Sequence, residues 1–123
     1  MKDKEDMQCY SNKSPGGKVL DACLLSLLKN KGEDYGYGLL DEMCNIGFCQ
    51  GDINMGTLYR SLRGLEKEKF VTSKWVESEQ GPRKRVYKIE EEGIKELDKL
   101  MVFLRNRKEI IDIILDYNES FAN

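Results

Sequence analysis

Apolar residues recur at helical spacing in three successive stretches, then alternate, then return to helical spacing. "KVLDACLLSLLKN" is apolar on almost every side, which predicts a first helix buried on more than one side and stopped at Lys31-Gly32. "YGYGLLDEMCNIGF" predicts a second, shorter helix of roughly three turns, with Leu39, Leu40 and Met43 inward and Gly47 at its end. After the short loop "CQGDI", the stretch "NMGTLYRSLRGLEKEKF" places Leu58, Leu62 and Leu65 on one face of a third helix. Arg60, Arg63 and Lys67 fall roughly opposite, and Asn54 is the natural N-cap.

Beyond Phe70 the period changes from helical to alternating. "VTSKWVES" and "KRVYKI" read as strands, joined by the turn "EQGPR", so that Arg83, Lys84 and Arg85 lie at the tip of a two-stranded ribbon. Trp75, within the first of these strands, is expected to pack. The last stretch, from Glu90 to Phe121, returns to helix and is the longest element. It carries two apolar stripes. Leu97, Leu100, Met101, Leu104, Ile111, Ile114 and Leu115 form one, and Phe103, Ile110, Ile113, Tyr117 and Phe121 form the other. The order predicts a mainly α protein with a small β-hairpin: a winged helix-turn-helix with a long C-terminal dimerisation helix. The expected divisions are a flexible arm over residues 1–17, a DNA-binding domain over 18–90 and the dimerisation helix over 91–123.

The net charge of −2 by itself speaks against a polyanion partner, but its distribution reverses that reading. Residues 54–89 hold nine Lys and Arg against four Glu, a surplus of five positive charges; the remainder carries a net −7. One basic surface within an acidic chain is the asymmetry expected of a nucleic-acid binder. At 123 residues the chain is one domain's worth. No apolar run approaches the roughly 20 residues that span a bilayer, and the polar N-terminus does not resemble a secretory signal, so a cytoplasmic protein without a membrane partner is expected. Histidine is absent, which removes the commonest general base and transition-metal ligand. With no phosphate-cradling glycine loop and no nucleophile elbow either, an enzyme is the least favoured class, and no cofactor or metal is expected. Cys9, Cys23, Cys44 and Cys49 lack zinc-knuckle spacing and are expected as free thiols, with Cys44 and Cys49 the pair on which a redox reading would rest.

The runs "YGYGLLDEM", "MGTLYRSLRGLEKEKFVTSKW" and "SEQGPRKRVYKIEEEG" together resemble the PadR family of bacterial transcriptional repressors. The resemblance covers about residues 19–100, with Gly-Tyr opening helix two, Gly-Thr-Leu-Tyr in helix three and Gly-Pro followed by basic residues and tyrosine in the wing. Within the family, "GF" before helix three, Tyr59-Arg60 and "VTSKWVESEQGP" resemble the poly-beta-hydroxybutyrate-responsive repressor subgroup. The chain departs from the family pattern at Met55, where proline is usual, at Arg60, and at Glu90, where a threonine or serine cap is common.

The resemblance implies double-stranded DNA as partner. Phosphates or base edges would be met by Tyr37, Asn54, Gly56, Thr57, Tyr59, Arg60, Arg63 and Lys67 of the helix-turn-helix, and by Arg83, Lys84 and Arg85 of the wing. Gly56 suits close backbone approach at a helix N-terminus, where phosphates are favoured. A helix resting on one small domain needs only one apolar stripe, so the second predicts a homodimer built on Leu97, Leu100, Phe103, Leu104, Ile110, Ile111, Ile114 and Tyr117. The resemblance further implies a small-molecule effector near the last helices, with Phe103 the ring best placed to meet it. Two other classes remain open at this point: a winged-helix module for protein contact, and a thiol-based redox sensor.

Overall fold

The computed structural model describes residues 15–48 and 54–121. Helix α1 runs Pro15–Lys31, strand β1 Glu33–Tyr35, helix α2 Gly36–Asn45, helix α3 Met55–Lys67, strands β2 Val71–Val76 and β3 Lys84–Ile89, and helix α4 Glu91–Glu119. Helix α1 begins three residues before the expected start at Lys18. Proline fits the first helical position, because its fixed φ is helical and its missing N–H would have had no partner there. The expected arm therefore loses Pro15, Gly16 and Gly17 to the helix, and the rest of it lies outside the described residues.

One core joins all four helices to the sheet. Leu24, Leu25 and Leu28 of α1, Leu39 and Met43 of α2, and Leu58, Leu62 and Leu65 of α3 are fully buried, with Val71 and Tyr87 closing the core from the sheet. Leu40, expected inward, is only partly buried. The leucine face of α3 is thus spent on packing, and its basic face stays outside.

The sheet holds three antiparallel strands in the order β1-β3-β2. Strand β2 pairs with β3 in the register Ser73↔Tyr87 and Trp75↔Arg85, which is the expected ribbon. Strand β1 was not expected. It pairs Asp34 with Tyr87 and Tyr35 with Val86. Three residues are too few to show an alternation, and Glu-Asp-Tyr has no strand composition of its own. Only the edge of β3, brought there by the tertiary fold, makes it a strand.

Both middle helices end in the same hydrogen-bond pattern. At the end of α2 the Phe48 N–H donates to Met43 O (2.8 Å) and the Gly47 N–H to Cys44 O (3.1 Å), with Gly47 at φ 94°. At the end of α3 the Phe70 N–H donates to Leu65 O and the Lys69 N–H to Glu66 O, both at 2.9 Å. Here the left-handed position is held by a lysine, Lys69 at φ 67°, the one non-glycine residue with positive φ in the described chain. This turn aims the chain from α3 directly into the wing.

Helix α4 docks at its start and then leaves the core. The Glu90 N–H donates to Phe70 O (2.9 Å), and Gly93 is buried against that same carbonyl, where a Cβ has no room. Leu97 and Leu100 are 4% and 3% exposed. They lie inside the chain's own core, which corrects the expectation that they meet a second subunit. Met101 and Leu104 are partly buried against that core, and from Arg105 to Phe121 every residue is exposed. The expected division of labour between two full-length stripes therefore fails. The first stripe is covered only through Leu104, because the globular part is too short to reach the last turns of a 29-residue helix. No helix of the described residues is long and apolar enough to cross a membrane.

Candidate nucleic-acid interface

Asn54 caps α3, its side-chain oxygen accepting from the Thr57 N–H at 2.9 Å. The cap fixes the start of the helix and leaves Gly56 exposed in the first turn; the nearest atom to a Cβ there would be that same Asn54 oxygen. One turn on, Arg60 and Arg63 project from the exposed face, and Lys67 does so at the far end. Among the described residues these three basic side chains enter no ion pair, so their charge is available to an incoming anion. Thr57 is half-buried beside them.

Tyr59 departs from expectation. Its ring turns inward to pack against the core, and its hydroxyl occupies the space a Cβ on Gly36 would need. Burial pushes its phenol up from the ordinary value. The Gly-Tyr pair opening α2 has a packing reason at each glycine. Gly36 admits Tyr59, and Gly38 admits the Asp34 carboxylate. Asp34 in turn accepts from Lys31 Nζ (2.6 Å) and from the Tyr35 N–H (2.8 Å). Tyr37 itself points outward, 60% exposed.

The three wing cations have separate fates. Arg85 is not at the tip. Its Nε donates to Ser73 Oγ at 2.9 Å, its guanidinium pairs with Glu66 at 3.3 Å, and Ser73 Oγ donates to the other Glu66 oxygen at 2.7 Å. This closed ring of contacts ties α3 to both wing strands and gives Arg85 a carboxylate partner. The register explains it: Ser73, Trp75, Arg85 and Tyr87 share the sheet face turned toward α3. Arg83, in the turn after Gly81 (φ 111°), lies 5.1 Å over the Trp75 ring, and Lys84 lies 4.3 Å over the Tyr35 ring. Both remain exposed.

Trp75, expected to pack, is 54% exposed. With Tyr35, Tyr37, Tyr59 and Tyr87 it walls a cavity of about 380 Å³ between α3 and the wing, and Arg63, Arg83, Lys84 and Arg85 line the same space. Sequence reasoning missed Trp75, Tyr35 and Tyr87 as members of this surface. Alternation alone would have put Trp75 and Tyr87 on one sheet face, but nothing local indicates that α3 covers only part of that face.

Away from this surface, Phe103 is half-buried, with Lys18 Nζ 4.6 Å and the Arg107 guanidinium 5.7 Å from its ring centre. The chain's own cations thus already occupy the ring expected to meet an effector. Cys23 is partly buried, and burial pushes its thiol up to about 11, well away from a reactive thiolate. Cys44 corrects the expectation of four free thiols. It is disulfide-bonded, and its exposed place in the last turn of α2 lets it meet another thiol without disturbing the core.

Known proteins share this arrangement. A protein of Lysinibacillus sphaericus with no assigned function is 29% identical over 97 residues, spanning 79% of this chain and 88% of its own. A transcriptional regulator from Thermoplasma acidophilum superposes with a TM-score of 0.71 at 26% identity, over 81% of this chain and 93% of its own. One from Clostridium thermocellum gives 0.67 at 26% identity, over 86% and 95%. PadR of Bacillus subtilis, solved in complex with operator DNA, gives 0.60 at 26% identity, over 68% of this chain and 47% of the longer protein. Residues 24–99 match the model of the transcriptional regulator PadR-like family. A winged helix with this wing, this third helix and a family match over most of its length makes the chain a member of the PadR-like family of transcriptional regulators.

Proposed function

We propose that the protein is a cytoplasmic, homodimeric repressor that holds an operator of two-fold symmetry through α3 and the wing of each subunit. The observation that carries this reading is the exposed set Arg60, Arg63, Lys67 and Arg83, four cations with no carboxylate partner among the described residues. Phosphate contacts from these side chains and from the first turn of α3 would supply most of the affinity, and so make it salt-dependent. Thr57, Arg60 and Arg63 would reach base edges, while Tyr59 and Arg85 hold the surface in shape behind them. Bacillus subtilis PadR, a relative of this fold, was solved on operator DNA, which supports the same docking here.

The dimer rests on α4. Ile110, Ile111, Ile113, Ile114, Leu115 and Tyr117 along α4, and Phe121 just beyond its end, are between 49% and 69% exposed. So large an unburied apolar surface favours a second copy of the chain, with Ile110, Ile111, Ile114 and Tyr117 at its centre. Two recognition helices related by a two-fold axis then suit half-sites about one helical turn apart. Release by an effector would follow from any change in the separation of those helices.

The test is fluorescence anisotropy of labelled duplex from upstream of the protein's own gene, followed by selection from fragmented genomic DNA, each against scrambled duplex at several salt concentrations. A preference of at least about a thousandfold supports the regulator. Feeble, sequence-independent binding in both formats refutes it and leaves a winged helix that binds protein.

A further inference from the structure

Helix α3 carries a single carboxylate, Glu66, and its other charges, Arg60, Arg63 and Lys67, are all positive. A carboxylate turned toward a phosphate backbone lowers affinity, so its place on this helix calls for a reason. Both of its oxygens are taken. One accepts from Ser73 Oγ at 2.7 Å and the other from the Arg85 guanidinium at 3.3 Å, while Arg85 Nε donates to Ser73 Oγ at 2.9 Å. Arg85 is the least exposed of the three wing cations, yet it lines the same cleft as Arg63 and Arg83 and is only half-buried there. Without Glu66 its charge would be open to an anion entering that cleft. Stability is a weak reason for the pair, because water screens a half-exposed ion pair and two long side chains must be ordered to hold it. A glutamine in the same place would still accept from Arg85, so the tie between α3 and the wing does not by itself call for a charge.

We propose that Glu66 withholds Arg85 from the phosphate backbone and so limits how tightly the surface grips DNA of any sequence. The effect on DNA rests on the DNA-binding reading above; the withholding itself does not. Phosphate contacts position a protein on the duplex and carry no sequence information. One contact fewer therefore weakens the hold on every duplex alike, and leaves the protein freer to quit the many wrong sites that a genome offers. Arg83 and Lys84, exposed nearer the turn, keep the wing's own grip.

Glu66→Gln keeps the size of the side chain and an acceptor for Arg85 while removing the charge. By anisotropy it should tighten scrambled duplex and duplex selected from genomic DNA alike, by at least about threefold at low salt. Its salt dependence should steepen by about one contact, a further factor of about three between roughly 50 and 200 mM salt. A loosened fold would weaken binding, so the sign of the change separates lost charge from lost structure. Glu66→Gln combined with Arg85→Ala should bring affinity and slope back to those of the unaltered protein, since the net charge of the pair is again zero. An unchanged slope in Glu66→Gln overturns the inference, as does a raised slope that persists in the double variant. Tightening confined to the selected duplex also overturns it, because Glu66 would then act on base readout. The withholding is read without DNA, on the Arg85 Nε–H, whose peak in a proton–nitrogen correlation spectrum is identified by its loss in Arg85→Ala. Titrated with inorganic tripolyphosphate, the full-length protein should keep this peak in place, and Glu66→Gln should shift it; any other pattern overturns the inference. If duplex never binds, the regulator reading fails while the tripolyphosphate titration still decides the role of Glu66.

Discussion

Replacing Gly36 by alanine tests whether the opening of α2 and the recognition helix are one packed unit. The new Cβ would enter the space now held by the end of the Tyr59 ring. Gly36 does not occupy the left-handed region, so the backbone itself accepts alanine, and the residue change alone would stabilise the helix start by up to about 1 kcal/mol. Against this stands overpacking, which costs about 1–3 kcal/mol in a filled core. Overpacking should win at about 2 kcal/mol, the middle of that range, because Tyr59 borders the cavity and its ring can swing part of the way into it. A net loss of about 1 kcal/mol would lower a urea midpoint by roughly 0.5 M at an m-value of about 2 kcal/mol/M. The informative assay is a double-mutant cycle by urea denaturation at fixed protein concentration, pairing Gly36→Ala with Tyr59→Leu, whose shorter side chain leaves room for the methyl group. The combined loss should fall short of the sum by at least about 0.5 kcal/mol. Additivity within the usual few tenths of a kcal/mol would show that the two residues are not in contact, and the packing account of the Gly-Tyr motif would be wrong.

Three further perturbations have defined outcomes. Arg63→Ala should weaken binding to specific duplex by about 1–3 kcal/mol, whereas Arg83→Ala should reduce the salt slope by about one, both read by anisotropy; an unchanged slope for Arg83→Ala would place the wing away from the phosphates. Ile111→Asp combined with Ile114→Asp should convert a dimer to a monomer in sedimentation equilibrium, with the circular dichroism of the globular part retained, and a persistent dimer would move the interface off the exposed end of α4. Lys69→Gly should stabilise the fold by up to about 1 kcal/mol in thermal unfolding, since glycine occupies the left-handed position that ends α3 without steric cost, offset in part by its freer unfolded state; a destabilised variant would mean the lysine side chain contributes more than its backbone costs.

The linear pattern carried most of the architecture. The leucine spacing at Leu58, Leu62 and Leu65 forces one face of α3 inward and leaves Arg60 and Arg63 outside, whatever the rest of the chain does. The cap at Asn54 and the stop at Gly47 are likewise local events, set within a few residues of the backbone they satisfy, and the two wing strands show in the alternation of their own short stretches. Tertiary structure alone decided three matters. It made Glu33–Tyr35 a strand by presenting the edge of β3. It sorted the basic residues by function, because whether an arginine meets Glu66, as Arg85 does, or solvent, as Arg63 does, depends on partners distant in sequence. And it determined where α4 leaves its support: the polar run over residues 105–109 interrupts the apolar stripe after Leu104, but only the extent of the domain beneath decides that Ile110 and the apolar residues after it stay exposed.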